Sequence, residues 1–126
     1  MSKDAVSVKI GTRNYPLYLS TNGMQEIKER FGDVYKAADK LSDATTTTFD
    51  RLGLAVALVS ILATQGARAH NFNYPDEPRI PDLPEDIAGT ILTIADLGNL
   101  TTKIQQAINI GVGRTVFSMP DDDEKN

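Results

Sequence analysis

The chain has 126 residues, no cysteine and a formal net charge of −4 at neutral pH. Its length fits one domain with its own hydrophobic core, and the lack of cysteine excludes disulfides, thiol catalysis and thiolate metal sites in this chain. The charge is uneven, because residues 1–63 carry eight basic and seven acidic side chains whereas residues 64–126 carry five and ten. An acidic chain without a basic cluster is a poor match for nucleic acid, so we expect no nucleic-acid partner.

Residues 5–19 predict a β-hairpin. Apolar side chains alternate with polar ones over residues 6–10 and again at Tyr15, Leu17 and Leu19, which is typical of strands with one buried face. Residues 11–14 supply the turn. Pro16 lacks an N–H, so we expect the second strand to be an edge strand or irregular at that point. A two-stranded hairpin is marginal alone and has to pack on helices or pair with another chain.

Two short helices follow the hairpin. Asn22, with Gln25 three residues later, predicts the start of the first helix, and Gly32 predicts its end. Asp33 then caps the second helix. The predicted apolar faces are Met24, Ile27 and Phe31 on the first helix, and Val34, Ala38 and Leu41 on the second. Residues 42–48, with four consecutive threonines, predict a linker that ends in the cap of the next helix rather than a phosphorylation site.

Residues 49–69 predict the central core helix. No charged side chain lies between Arg51 and Arg68, and apolar residues occur on nearly all sides of the helix. Such a helix is normally buried by its neighbours. The uncharged run is shorter than the roughly 20 residues of a membrane span and contains polar residues, so we expect no membrane association. We expect the helix to end near Gly66 or one turn later.

Residues 70–84 predict an extended loop, because four prolines in ten residues oppose both helix and paired strand. Phe72, Tyr74 and Ile80 have two interpretations. They anchor the loop on the core, which we favour because long ordered loops pack on their own side chains, or they are exposed for recognition of a partner.

Two further helices complete the predicted domain, residues 1–113. The first begins at Pro84 and ends at Gly98, with Ile87, Ile91 and Ile94 as its buried stripe, helped by Ala88, Leu92 and Ala95. The second begins at the cap Asn99 and ends at Gly111. Its buried face consists of Leu100, Ile104, Ala107 and Ile108. Residues 114–126 end in an acidic run and predict a solvated tail.

The sequence offers no catalytic, metal or cofactor site. His70 is the only histidine, and it lacks the partners of a catalytic triad or a metal site, so we expect a surface or helix-terminal histidine and not a ligand. The Gly111-Val112-Gly113 stretch lacks the rest of a phosphate-binding motif. Asp82, Glu85 and Asp86 lie at a predicted helix start, where the helix dipole accounts for acidic residues. We therefore expect a protein that is not an enzyme, built as an α+β fold with an N-terminal hairpin packed on a mainly helical domain.

The order of elements resembles the tail assembly chaperones of long-tailed bacteriophages and related prophages. The opening VSVKIGTRNYPLYLSTNGMQEIKERFGDV is similar to the family's hairpin, short apolar return strand and helix ending in Phe-Gly. Residues 52–66 resemble its apolar middle helix. The stretch PDLPEDIAGTILTIADLGNLTTKIQQAINIGVG resembles its acidic-start helix, short break and closing helix. The proline-rich loop and the threonine run depart from that pattern.

The resemblance implies a non-catalytic role in the host cytoplasm. Such proteins bind the hydrophobic tape-measure protein, and tail-tube subunits, and leave before the virion matures. Several are made in two lengths by a frameshift. A client helix would be covered by an apolar surface, and strand addition at the hairpin edge would build a homo-oligomer. The candidate partner-binding residues are Tyr15, Leu17, Leu19, Phe72 and Tyr74. The alternative is a structural tail or connector protein that stays in the virion.

Overall fold

The computed structural model describes residues 6–113, so the predicted acidic tail, residues 114–126, lies outside the described residues. The described chain has an antiparallel hairpin followed by helices, which confirms the α+β prediction. The elements are β1 (Val6–Ile10), β2 (Arg13–Leu17), α1 (Thr21–Phe31), α2 (Val34–Leu41), α3 (Thr48–Asn73), α4 (Glu85–Ile91), a 3₁₀ turn (Ile94–Asp96) and α5 (Leu97–Gly111).

The hairpin is tighter than predicted. Ile10 pairs with Arg13, so the turn consists of Gly11 and Thr12 alone, and the expected four-residue turn is wrong. Gly11 has φ 64°, a value that glycine adopts without a steric penalty. One face of the hairpin is buried, and its buried side chains are Val6, Val8, Ile10, Tyr15 and Leu17.

The outer edge of β2 faces α3. Pro16 lies opposite Ser7, and the alternation of an antiparallel ladder from a two-residue turn places this pair among those without mutual hydrogen bonds. The missing N–H of Pro16 therefore removes no ladder bond, and its carbonyl points away from β1. That carbonyl contacts α3 at Gly66, where an added Cβ would lie 1.8 Å from the oxygen. Just beyond the strand, Tyr18 N–H donates to the Leu62 carbonyl at 3.1 Å.

The central helix is longer than predicted. It begins after Thr47, whose hydroxyl accepts from the Asp50 N–H at 3.1 Å, as expected for the end of the threonine linker. It passes both predicted ends, Gly66 and one turn later, and continues to Asn73. Gly66 is buried against β2, so this glycine permits a close contact between elements instead of terminating the helix.

Helix α3 is long and apolar enough to meet the composition criterion for a membrane span, because it exceeds the predicted length. However, 61% of its most apolar window is buried by the rest of the chain. Burial, and not length, is the feature that makes it resemble the core helix of a globular domain.

The start of α1 differs from the prediction. Ser20, and not Asn22, is the N-cap, and its hydroxyl accepts from the Gly23 N–H at 2.9 Å. Gly23 and Ile27 face α3, whereas Met24 is exposed. The predicted burial of Ile27 is confirmed and Phe31 is partly buried, but Gly23, which brings the two helices close together, takes the place predicted for Met24. The predicted end at Gly32 is confirmed.

The predicted cap of α2 is confirmed, because the Asp33 carboxylate accepts from the Lys36 N–H at 2.7 Å. Val34 and Leu41 are buried as predicted. The third buried position is Ala37, and Ala38 is only partly buried.

Helix α4 presents a different face from the predicted one. Ala88 and Leu92, the supporting members of the predicted stripe, are buried, whereas its main members Ile87, Ile91 and Ile94 are exposed, so the isoleucine stripe is wrong. The helix also ends at Ile91, well before Gly98. Two adjacent apolar stripes compete on this short segment, and the smaller Ala88 allows the closer approach to the core.

Helix α5 buries the predicted face, which consists of Leu100, Ile104, Ala107 and Ile108. It starts at Leu97, and Asn99 lies inside it and is not its cap. The preceding 3₁₀ turn has its own capping box, in which Thr93 N–H donates to the Asp96 carboxylate at 2.8 Å. The helix ends at Gly111 as predicted, close against Leu19.

We expect Gly66→Ala to destabilise the protein by at least about 2 kcal/mol, because its Cβ would overlap the Pro16 carbonyl. The matched control is Gly53→Ala on the same helix, where an added Cβ meets no atom within 4 Å. That control should stabilise by about 0.5–1 kcal/mol, the difference between glycine and alanine in a helix. Urea unfolding measures both. Equal free energies of unfolding for the two variants would contradict the Gly66 contact.

Candidate partner-binding site

Three of the predicted partner-binding side chains lie in the core. Tyr15, Leu17 and Leu19 are 3–5% exposed and pack with the other hairpin side chains. The edge of β2 near them faces α3, because Pro16 and Tyr18 both contact that helix. Neither these side chains nor this edge is open to a partner in the described structure. Strand addition at the β2 edge therefore requires displacement of α3.

Phe72 and Tyr74 lie at the C-terminal end of α3. Phe72 is in the last helical turn and is 85% exposed, so the expectation that it anchors the loop is wrong. Tyr74 is the residue that ends the helix, and its ring lies 5.1 Å from that of His70. Ile80 is partly buried against the core, as expected for an anchor. Of the sequence-predicted surface, only the Phe72 and Tyr74 region is accessible.

Polar contacts fix the loop of residues 74–84, which we call the strap, along α3. Asn71 donates to the Ile80 carbonyl and accepts from the Ile80 N–H, both at 2.9 Å. One turn earlier, Arg68 forms two hydrogen bonds to Asp82 at 3.1 and 2.8 Å. These contacts satisfy the backbone of a segment whose prolines preclude regular pairing.

The strap ends at a buried leucine. Leu83 is 2% exposed, and its backbone N–H donates to the Thr64 hydroxyl at 2.9 Å. The Leu83 carbonyl accepts from the Ser60 hydroxyl at 2.7 Å. The polar residues within the apolar sequence of α3 therefore form the hydrogen bonds that hold the strap. The sequence signal is their spacing, since Ser60, Thr64, Arg68 and Asn71 recur every three or four residues on one face.

His70 also contributes to this end of the helix. Its Nε2 lies 3.2 Å from the Glu77 carboxylate, and its ring contacts Tyr74. Both contacts join the helix to the first residues of the strap. His70 lies in the last turn of α3, which agrees with the prediction of a surface or helix-terminal histidine.

A second apolar surface lies between the N-terminal part of α3 and α4. We call this open cleft, of about 580 Å³, the α3–α4 groove. Its apolar side chains from α3 are Phe49, Leu52 and Val56, and Phe49 is 78% exposed. Gly53 and Gly89 lie on its two walls. These α3 residues belong to the predicted core helix, but burial of the helix becomes complete only near residue 57, and the apolar pattern is the same on both sides of that point.

Carboxylates line the α4 wall of the groove. Glu85 and Asp86 occupy the first turn of α4, where the positive end of the helix dipole favours negative charge. Arg30 of α1 donates two hydrogen bonds to Glu85, at 2.9 and 3.3 Å, and this partner raises the pKa of the Arg30 guanidinium. No described residue forms an ion pair or hydrogen bond with the Asp86 carboxylate.

Within residues 6–113, no group of three or more histidine or acidic side chains is placed to bind a metal ion. Comparison with family models, curated proteins and solved structures finds no match to this chain.

We expect Asn71→Ala to loosen the strap, because it leaves the N–H and carbonyl of Ile80 without their partner. Amide hydrogen exchange at Ile80 should accelerate about 10- to 100-fold, as expected for a loss of roughly 1–3 kcal/mol. Phe72→Ser is the control from the same turn, and its exposure predicts a stability change within about 0.5 kcal/mol. Unchanged exchange in Asn71→Ala would contradict the role of the strap contacts.

We expect the Arg68–Asp82 pair to make a small, pH-dependent contribution to stability. The hydrogen bond from Arg68 lowers the pKa of Asp82. The stabilisation is therefore fully present above the ordinary Asp pKa and is lost as the pH falls through the lowered value. Both side chains are at least half exposed, so Asp82→Asn should cost only about 0.2–1 kcal/mol at neutral pH. Urea unfolding at neutral and acidic pH measures the change in the free energy of unfolding caused by Asp82→Asn, with Asp76→Asn as the control. A difference in free energy of unfolding between the wild type and Asp82→Asn that is the same at both pH values would contradict an electrostatic origin.

Proposed function

We propose that this protein is a non-catalytic tail assembly chaperone of a long-tailed bacteriophage or prophage. It binds the tape-measure protein, and tail-tube subunits, in the host cytoplasm and is absent from the mature virion. The proposal is supported by the resemblance over residues 5–113. It is also supported by the apolar surfaces that the described chain leaves uncovered.

The observation that carries the proposal is the distribution of exposed apolar side chains along α3. Phe49 in its first turn and Phe72 in its last turn are 78% and 85% exposed. They are 23 positions apart, which corresponds to about 35 Å along a helix. Large exposed apolar side chains commonly mark interaction surfaces when they occur in groups. Phe72 lies near Tyr74, and Phe49 lies beside the α3–α4 groove.

The size of these surfaces favours reversible holding. Full burial of one phenylalanine contributes about 1.5–3 kcal/mol, whereas association costs about 4–15 kcal/mol in lost freedom. One phenyl anchor is therefore too weak to bind a client alone. Several anchors on one chaperone, or several copies on one long client, raise the overall affinity through effective concentration. Such a complex dissociates stepwise as another subunit covers the client, which suits a protein that leaves during assembly.

The alternative is a structural tail or connector subunit. It would use the same apolar surfaces for permanent contacts within the particle. The two functions differ in location, because a chaperone leaves and a structural subunit remains.

The test is co-expression of the tagged chain with its genomic neighbours, followed by affinity purification and mass spectrometry. We expect a long, helical, repeat-rich partner that is soluble only when this chain is present. Phe72→Ser with Tyr74→Ser should reduce recovery of that partner without unfolding the chaperone. Ile110→Ser, which removes another half-exposed apolar side chain, is the control.

Analysis of finished particles separates the alternatives. Absence of the chain from particles, together with recovery of the soluble partner, agrees with the chaperone function. A chain that carries no partner and is present in finished particles would contradict it and favour the structural subunit.

A further inference from the structure

We propose that the α3–α4 groove binds an amphipathic helix of a partner protein whose apolar stripe is flanked by lysine or arginine. The inference rests on the proposed function, because it assigns the class of client segment and the surface that receives it. It differs from the sequence prediction, which placed partner binding at the hairpin and at Phe72 and Tyr74.

The apolar side chains of the groove have the spacing that receives a helix. Phe49, Leu52 and Val56 follow one another at intervals of three and four residues on one face of α3. They extend over about 10 Å, which is close to two helical turns. A partner helix that presents apolar residues at the same spacing covers all three. Phe49 is the main anchor, because it has the most surface to bury.

The two glycines of the groove leave room for such a helix. An added Cβ at Gly53 meets no atom within 4 Å, and at Gly89 it meets only Val56 at 3.7 Å. Neither glycine has a positive φ, so the backbone does not require glycine there. Each lowers helix stability relative to alanine by about 0.5–1 kcal/mol. Because both positions lack a side chain, the surface between α3 and α4 is open, and the backbone of a third helix can approach it closely.

The charge of the groove selects a basic partner. Its charged lining residues are Glu85 and Asp86. Arg30 pairs with Glu85, whereas Asp86 has no ionic partner among the described residues. A lysine or arginine beside the apolar stripe of the occupant pairs with Asp86, and an acidic side chain there is repelled.

The same charges disfavour the two other occupants. The chain's own C-terminal segment contains Phe117 and Met119, but four consecutive acidic residues, 121–124, follow them. A second copy in a two-fold contact places the same carboxylates opposite each other. A basic helix from a different protein has neither disadvantage.

The test uses fluorescently labelled synthetic 15-residue helices and the full-length chain. One peptide carries a leucine stripe flanked by lysines, a second carries the same stripe flanked by glutamates, and a third is a scrambled lysine peptide. We expect the lysine-flanked helix to bind at least tenfold more tightly than the other two in fluorescence anisotropy. Raising the salt concentration should reduce its preference over the glutamate peptide.

Two variants probe the groove itself. Gly53→Leu places a side chain in the groove and should weaken binding at least tenfold. Gly98→Leu is the matched control, because Gly98 is also an exposed helical glycine with no atom within 4 Å of an added Cβ, but it lies on α5. Asp86→Asn should weaken binding of the lysine peptide about two- to fivefold at low salt. Circular dichroism checks that each variant is folded.

Four results would overturn the inference. The first is equal binding of the lysine peptide by the wild type, Gly53→Leu and Gly98→Leu. The second is equal binding of the lysine and glutamate peptides. The third is a wild-type oligomer that Gly53→Leu converts to monomer, which would assign the groove to self-association. The fourth is an increase of at least tenfold in peptide affinity in Phe117→Ser, which would assign it to the C-terminal segment.

The variants also separate this inference from the proposed function. If the client co-purifies equally with the wild type and Gly53→Leu, the chaperone function stands and the groove is not its site. If peptides bind in the groove but no client co-purifies, the groove is a helix-binding site and the proposed function is wrong.

Discussion

The contact between the Pro16 carbonyl and Gly66 is the constraint on which the arrangement of this fold depends. A proline at a non-hydrogen-bonded position turns its carbonyl out of the hairpin, and a glycine in the facing helix lets that carbonyl approach the helix backbone. The Tyr18–Leu62 hydrogen bond lies one turn away and fixes the same alignment. Helix α3 therefore lies along β2 in the position that a third strand would occupy, and the hairpin gains the support that two strands lack.

Burial changes along α3 as a result. The middle of the helix is enclosed, with Leu58, Val59 and Leu62 fully buried. The last turns are covered on one side by the strap, and the first turns only partly by α4. One apolar helix thus provides the core in its centre and uncovered aromatic residues at its ends. The Phe72 and Tyr74 surface is a consequence of this length, because a helix that stopped at Gly66 would not reach Phe72.

The sequence predicted where the strands and helices lie better than it predicted which side of each helix is buried. The alternation of apolar and polar residues predicted the hairpin, and the 3.6-residue period of apolar residues predicted α5. Each of these patterns is compatible with only one buried face. In α4 the stripe of Ile87, Ile91 and Ile94 and that of Ala88 and Leu92 are both apolar, and periodicity does not choose between them. Gly66 was read as one of two ends of α3 for a similar reason, since its role depends on a contact with Pro16, 50 positions earlier. The contact between Pro16 and Gly66 leaves no pattern around either residue.

The α3–α4 groove depends on the strap as well as on its own side chains. Helix α4 has seven residues, and isolated helices of that length are not stable in water. Its start is positioned by Leu83, which is buried and hydrogen-bonded to Thr64 and Ser60, and by the Arg30–Glu85 pair. Ala88 then fixes its inner face. Because Pro84 follows Leu83 directly and caps α4, a displaced strap moves the acidic wall of the groove. The polar face of α3 therefore sets the geometry of an apolar surface two turns away.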